Sequence, residues 1–159
     1  MNLNQLNESI KQYNINNLIR TLRNDHYFFI NNGLHGYTVF ESGKCFEFAM
    51  GLYNHLKSIG ENPNLIFLVG NMKKSEVQYH DVDEYDPSQE HVFHTIVQVR
   101  KFYYDINGKL GNKRDISAMW DKFRNKKLIQ TTPEQLTQYI TDKKLIETLE
   151  NQFKSYFEN

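Results

Sequence analysis

The chain has 159 residues, one cysteine, and 19 basic residues against 19 acidic ones. A formal net charge of zero argues against a nucleic-acid-binding protein, no apolar run approaches the roughly 18 residues of a membrane span, and a single cysteine excludes an internal disulfide. The length favours a single domain over residues 1–159. Because the first residues have neither a basic start nor an apolar signal core, we expect a cytoplasmic protein.

The first half of the chain contains two stretches with the spacing of amphipathic helices. Their apolar residues predict one helix over residues 3–23 and another over residues 44–60, where Gly60 is a natural C-terminal stop. The segment 24–43 between them is rich in Asn and Gly and predicts an irregular loop. Residues 65–69 form a short apolar run that is typical of a buried strand.

An acidic stretch without Lys or Arg, residues 75–90, begins the second half of the chain. It predicts an edge strand around residues 77–79 and a loop at residues 86–88. Two strands are predicted next, over residues 91–99 and 101–106, and the turn formers Asn107 and Gly108 close the second one.

From residue 111 onward the pattern returns to helix. Asp115 is expected to cap a helix that reaches Phe123, and residues 132–135 (Thr-Pro-Glu-Gln) are a typical helix start whose amphipathic pattern continues to the end. Helices, a small antiparallel sheet and further helices in this order predict an α+β fold. Its core is expected over residues 40–110, with a C-terminal helical extension over residues 111–159.

Three residues, Cys45, His94 and Asp105, carry the candidate chemistry. Cys45 opens the second predicted helix, where unpaired backbone N–H groups and the positive dipole end favour a thiolate with a lowered pKa. The N–H of Cys45 itself can donate to an oxyanion. His94 shares a strand face with Val92 and Ile96, and we expect this face to pack on the Cys45 helix. Asp105, in the next strand, is expected to orient the His94 ring, which completes a nucleophile, base and acid.

Each of the three residues also has a structural interpretation. A lone cysteine is often a small buried hydrophobe, a strand histidine often has only a packing role, and an acid before Asn-Gly is often a turn residue. Their order along the chain favours the catalytic interpretation.

Three short motifs resemble the papain-like cysteine peptidase superfamily, and they are most similar to its NlpC-type and transglutaminase-like branches. The motifs are Gly43-Lys44-Cys45-Phe46-Glu47-Phe48-Ala49, His94-Thr95-Ile96-Val97-Gln98-Val99 and Tyr103-Tyr104-Asp105-Ile106-Asn107-Gly108. The resemblance covers about residues 40–110. It implies a papain-like fold in which Cys45 is the nucleophile, His94 the general base and acid, and Asp105 the orienting acid. The chain lacks the Asp-Cys-Ser-Gly stretch of NlpC-type enzymes and the Trp beside the transglutaminase cysteine, so the reaction type stays open.

An oxyanion site needs a second donor besides the Cys45 backbone. Asn32, Tyr37 and Ser42 precede Cys45, and we favour Tyr37 by analogy with NlpC-type enzymes. Glu47, two residues after Cys45, is expected to point away from it into solvent.

A metal site is the less favoured interpretation of the His- and Asp-containing region. His80, Asp81, Asp83, His91 and His94 include metal-ligand types, but no zinc-type spacing appears, so we expect neither a metal nor a cofactor. The acidic stretch is either a solvated loop or a rim that recruits a basic partner or substrate.

The sequence therefore predicts thiol-mediated acyl chemistry on an amide-type bond of a protein or peptide substrate. Hydrolysis, deamidation and acyl transfer all use this machinery, and the residues do not distinguish them. The alternative is a non-enzymatic phage or bacterial binding or inhibitor protein on the same scaffold, which engages a protein partner through the acidic stretch. Neither interpretation involves nucleic acid or a membrane, and both leave the oligomeric state open.

Overall fold

The apolar run around residue 67 lies at the centre of an antiparallel sheet in the computed structural model, which describes residues 2–3, 15–77 and 86–158. Within these residues the sheet has five strands in the order β4-β3-β2-β1-β5. The strands are β1 (Pro63–Met72), β2 (His91–Val99), β3 (Phe102–Asp105), β4 (Gly108–Lys109) and β5 (Phe123–Thr131). The strands predicted at residues 65–69, 91–99 and 101–106 are confirmed, and the mixed α+β class with them.

Helices of very different length surround the sheet. They are α1 (described over residues 15–23), α2 (His26–Asn31), a 3₁₀ turn (Tyr37–Glu41), α3 (Cys45–Ser58), α4 (Lys74–Val77), α5 (Lys113–Ala118), α6 (Pro133–Thr137) and α7 (Lys143–Glu158). The prediction of a helix over residues 44–60 is confirmed by α3. That over residues 3–23 is confirmed at residues 15–23, whereas residues 4–14 lie outside the described part.

Close packing of α3 against α7 fixes the helical layer over the sheet. At Gly51 of α3, an added Cβ would lie 2.9 Å from the Cβ of Leu149, so this position has no room for a larger side chain. At the other end of α7, the Tyr156 hydroxyl donates to the carboxylate of Asp25. Asp25 also accepts from the N–H of Phe28 and thereby caps α2.

The two faces of the sheet bury separate apolar clusters, as the period-two alternation of strands requires. Leu65 and Val97 belong to the cluster that α3 and α7 cover. Their sequence neighbours Ile66 and Ile96 belong to a second cluster on the opposite face, together with Ile116 of α5. A side chain's position along β2 therefore decides whether it meets α3 or the region around α5.

The prediction of an irregular loop over residues 24–43 is wrong in part, because this segment contains α2 and the 3₁₀ turn. The capping residue Asp25 was a readable signal for α2. The predicted edge strand around residues 77–79 is wrong at its first residue, which ends α4. Residues 78–85 lie outside the described part.

The prediction that residues 111–159 form only helices is wrong at β5, which pairs with β1. The helix near residue 115 ends at Ala118, its N-cap is Asn112, and Asp115 supplies the reciprocal bond of a capping box. Phe123 begins β5 and does not continue that helix. The predicted helix start at Thr132 is confirmed, but its pattern is divided between α6 and α7.

Among the described residues, no helix is long and apolar enough to cross a membrane.

Candidate active site

His94 of β2 and Asp105 of β3 form a buried pair. The His94 Nε2 lies 3.1 Å from the Asp105 Oδ2, and the two side chains are 1% and 3% exposed. The other carboxylate oxygen, Oδ1, accepts from the N–H of Asn107 at 2.7 Å. This Asx turn leads into Gly108, whose φ of +93° glycine adopts without a steric penalty. Both oxygens of Asp105 therefore have a hydrogen-bond partner, and its position is fixed.

The Asp105 contact determines which nitrogen of His94 can act as a base. An ionised carboxylate only accepts hydrogen bonds, so Nε2 of His94 carries the proton in the neutral ring and Nδ1 carries the lone pair. Nδ1 is buried, and it has no hydrogen-bond partner among the described residues. The pair thus holds an oriented imidazole whose basic nitrogen accepts no hydrogen bond from the part of the chain that the structure describes.

A cleft of about 790 Å³ borders this pair. One wall consists of residues from the 33–42 segment, and the other contains Met119 and Trp120. The Trp120 ring packs on the His94 ring at a centroid distance of 4.8 Å. Sequence reasoning placed Met119 and Trp120 on a helix and missed their position at the cleft.

Cys45 is the first residue of α3 and is 1% exposed. Burial raises the pKa of its thiol to about 12, and the nearby Glu47 carboxylate adds to this effect. Backbone N–H groups, first that of Thr95 and then those of Cys45 and Phe46, act in the opposite direction. The expectation of a lowered pKa is therefore wrong for this conformation, because the loss of hydration outweighs the helix N-terminus.

Cys45 and His94 come close in the fold but do not form a hydrogen bond. The thiol contacts the backbone of Thr95, the residue after His94. The prediction that His94 faces α3 is wrong, because Ile96 of the same strand face joins the second cluster and the His94 ring packs on Trp120. The two functional groups consequently approach the edge of β2 from different sides.

In this conformation the N–H of Cys45 is engaged, and Tyr37 is not among the described residues that line the cleft. The N–H of Cys45 donates to the carbonyl of Ser42 at 3.3 Å. The ring of Tyr37 lies under the Arg23 guanidinium at 5.7 Å and is absent from the described lining of the cleft. Tyr37 is therefore a surface aromatic residue here, whereas Ser42 both lines the cleft and occupies the Cys45 donor.

Glu47 is fully buried, and the prediction that it is solvated is wrong. Its Oε1 accepts from the backbone N–H groups of Thr141 and Asp142, at 2.9 and 3.3 Å, and from the Thr141 hydroxyl. Its Oε2 has no hydrogen-bond partner in the described part of the chain. A buried carboxylate on the first turn of α3 is thus a feature that the sequence pattern did not indicate.

Of the five residues considered above as metal ligands, two lie in the described part of the structure. His80, Asp81 and Asp83 lie outside the described residues. His91 contacts the carbonyl of Asp86 through Nε2, and His94 pairs with Asp105. Within residues 2–3, 15–77 and 86–158, no three His, Cys, Asp or Glu side chains come together as metal ligands.

Comparisons of the chain with protein-family models, with curated proteins and with solved structures found no match. A function is therefore inferred below from the residues of the site.

Proposed function

We propose that this protein is a cysteine-dependent hydrolase or acyltransferase that acts on an amide-type bond of a protein or peptide. Cys45 is the nucleophile, His94 the general base and acid, and Asp105 the residue that orients His94. The observation that carries the proposal is the buried His94–Asp105 pair beside a cleft. The Nδ1 of His94 has no hydrogen-bond partner among the described residues, and the next residue, Thr95, contacts the only thiol of the chain. The order Cys, His, Asp and the helix-on-sheet arrangement also support a relation to the papain-like superfamily.

The reaction transfers one proton at each step. His94 Nδ1 takes the proton of the Cys45 thiol as sulfur attacks the substrate carbonyl carbon. His94 then returns this proton to the leaving amine, the C–N bond breaks, and a thioester remains on Cys45. Water, or a second amine, loses a proton to His94 as its oxygen or nitrogen attacks the thioester carbonyl. The C–S bond then breaks, and His94 returns this proton to the sulfur, which regenerates the thiol.

This mechanism requires the turn before α3 to rearrange when substrate enters. The Cys45 thiol must leave the Thr95 backbone and reach His94 Nδ1, and the Cys45 N–H must leave the Ser42 carbonyl to bind the oxyanion. Ser42 lines the cleft, so a bound substrate can contact the turn that moves. A general base removes the need for a preformed thiolate, which is consistent with the raised pKa of the buried thiol.

The test is acyl transfer from p-nitrophenyl acetate, followed by intact-mass spectrometry. Because Cys45 is the only cysteine, we expect a single acetyl group on the wild-type protein that water then removes. In His94→Ala, acylation and release should both slow by roughly 10²- to 10⁴-fold. Cys45→Ala is the control for acylation at other residues, and thermal unfolding confirms that both variants are folded. Equal rates in wild type and His94→Ala would overturn the proposal.

The alternative function, a binding protein without catalysis, is favoured by one specific observation. Cys45 is almost fully buried, as expected for a packing residue. This alternative predicts that Cys45→Ala retains partner binding, and that removal of His94 leaves thiol reactivity unchanged. The acylation experiment therefore distinguishes the two functions.

The charge of the cleft predicts which substrates bind. Glu41 lines the cleft and has no hydrogen-bond or ion-pair partner among the described residues, and the described lining contains no Lys or Arg. We expect N-acetyl-lysine amide to bind roughly 2- to 5-fold more tightly than the uncharged N-acetyl-norleucine amide. The single tryptophan, Trp120, reports binding through its fluorescence. Glu41→Gln should remove the difference; equal binding of the two ligands to wild type would contradict it.

A further inference from the structure

The residues that flank Cys45 all contact one short connection, residues 139–142 between α6 and α7. Lys44 donates from Nζ to the Thr141 hydroxyl at 2.8 Å. The Phe46 ring stacks on Tyr139 at a centroid distance of 5.0 Å and an angle of 16°. Glu47 accepts from Thr141 and Asp142. The start of α3 is therefore held by a segment that lies more than 90 residues later in the sequence.

Glu47 is the part of this contact that packing does not explain. A carboxylate withdrawn from water is unfavourable unless hydrogen bonds or an opposite charge compensate it. Three donors converge on Oε1, but Oε2 is left without a partner among the described residues. A glutamine would satisfy the two backbone donors without a buried charge. A glutamate at this position therefore indicates a function for the charge itself.

We propose that Glu47 is a positioning residue for Cys45. It fixes the first turn of α3 against residues 139–142, and it supplies a negative charge near the thiol when no substrate is bound. The inference rests on the proposed function, in which the thiol is held inactive until substrate rearranges the turn. These contacts of Lys44, Phe46 and Glu47 with residues 139–142, here called the clamp, hold the backbone of α3 from Phe46 onward. Rearrangement is thereby confined to the Cys45 side chain and the turn at Ser42. The charge disfavours ionisation of the thiol in the absence of substrate.

Other ionisable groups near this turn have partners or lie on other elements. Lys44 is engaged by Thr141, and the Asp142 carboxylate accepts from the N–H of Leu145. On β2, His94 is paired with Asp105. In the turn before α3, Glu41 is exposed and lines the cleft. Of these and Glu47, it is Glu47 whose charge contributes to the raised pKa of Cys45.

The test measures iodoacetamide labelling of Cys45 as a function of pH in three variants of the full chain. Glu47→Gln removes the charge and keeps an acceptor for the Thr141 N–H. Thr141→Val removes the hydroxyl, and with it the contacts to Lys44 and Glu47, but keeps both backbone donors. It therefore loosens the clamp without adding or removing a charge. Glu134→Gln, an exposed position on α6, removes the same charge elsewhere.

The wild-type labelling rate should rise about tenfold per pH unit up to the raised pKa of about 12, because the thiolate is the reactive form. Glu47→Gln should increase the rate at pH 8 by roughly 3- to 10-fold and shift the whole profile to lower pH. Thr141→Val should lower the unfolding temperature without shifting the profile, and Glu134→Gln should change neither. An unshifted profile in Glu47→Gln, or an equal shift in Thr141→Val, would overturn the inference.

The labelling profile is independent of turnover, so the two proposals can fail separately. A shifted profile in Glu47→Gln together with no His94-dependent acylation would retain the positioning role and reject the enzyme. His94-dependent acylation together with an unshifted labelling profile in Glu47→Gln would retain the enzyme and reject the positioning role.

Discussion

Asp105→Asn should lower the rate of acyl transfer through Cys45 by about 10⁴-fold while the protein stays folded. In the wild type the Asn107 N–H donates to Oδ1 of Asp105. In the variant the same N–H orients the new amide so that its oxygen takes the place of Oδ1. The amide nitrogen of the new asparagine then faces His94 Nε2 and donates to it. This exchange moves the ring proton of His94 to Nδ1, so the nitrogen that should accept the thiol proton no longer has a lone pair.

The measurement is the acetylation rate of Cys45 from p-nitrophenyl acetate at pH 7 to 9. Asp115→Asn is the matched control, since Asp115 is also a hydrogen-bonded carboxylate but serves only the capping box of α5. It should lose stability without losing acyl transfer. If Asp105→Asn reacts as fast as wild type, Asp105 is a turn residue that only closes the β3–β4 hairpin, and the triad is wrong.

Local patterns were sufficient to predict the elements that carry the site. The apolar spacing of α3, the alternation in β2 and the Asn-Gly turn after Asp105 depend on neighbours within a few residues. The His94–Asp105 contact followed from the same information, because a tight hairpin between consecutive strands fixes which residues lie diagonally opposite.

Relations between distant segments were not predictable in this way. β5 pairs with β1, which lies more than 50 residues earlier in the chain. The alternation of buried and exposed residues along β5 is interrupted at Asn125, whose φ is +54°, and by an irregular register with β1. The burial of Glu47 depends on the segment 139–142, which no local pattern places. The burial of Cys45, in contrast, agrees with the helical spacing that places it on one face with Ala49 and Leu52. The prediction that His94 faces α3 was also wrong. The strand pattern shows that alternate residues share a face of the sheet, but it does not show which helix covers that face.

Phe153→Ala should have the largest effect on stability, a loss of roughly 3–5 kcal/mol in the free energy of unfolding. Phe153 lies on α7 with no solvent exposure, and its ring contacts Phe48 at 6.1 Å and His55 at 5.7 Å, both on α3. Truncation leaves a cavity between the two helices that the tightly packed Gly51–Leu149 contact prevents from closing.

Phe157→Ala, one turn later on α7, is the matched control. Its ring also contacts His55, at 5.7 Å, but the side chain is 52% exposed, so its removal should change stability by less than about 1 kcal/mol. Urea unfolding followed by circular dichroism measures both variants, and similar losses would contradict the packing described here.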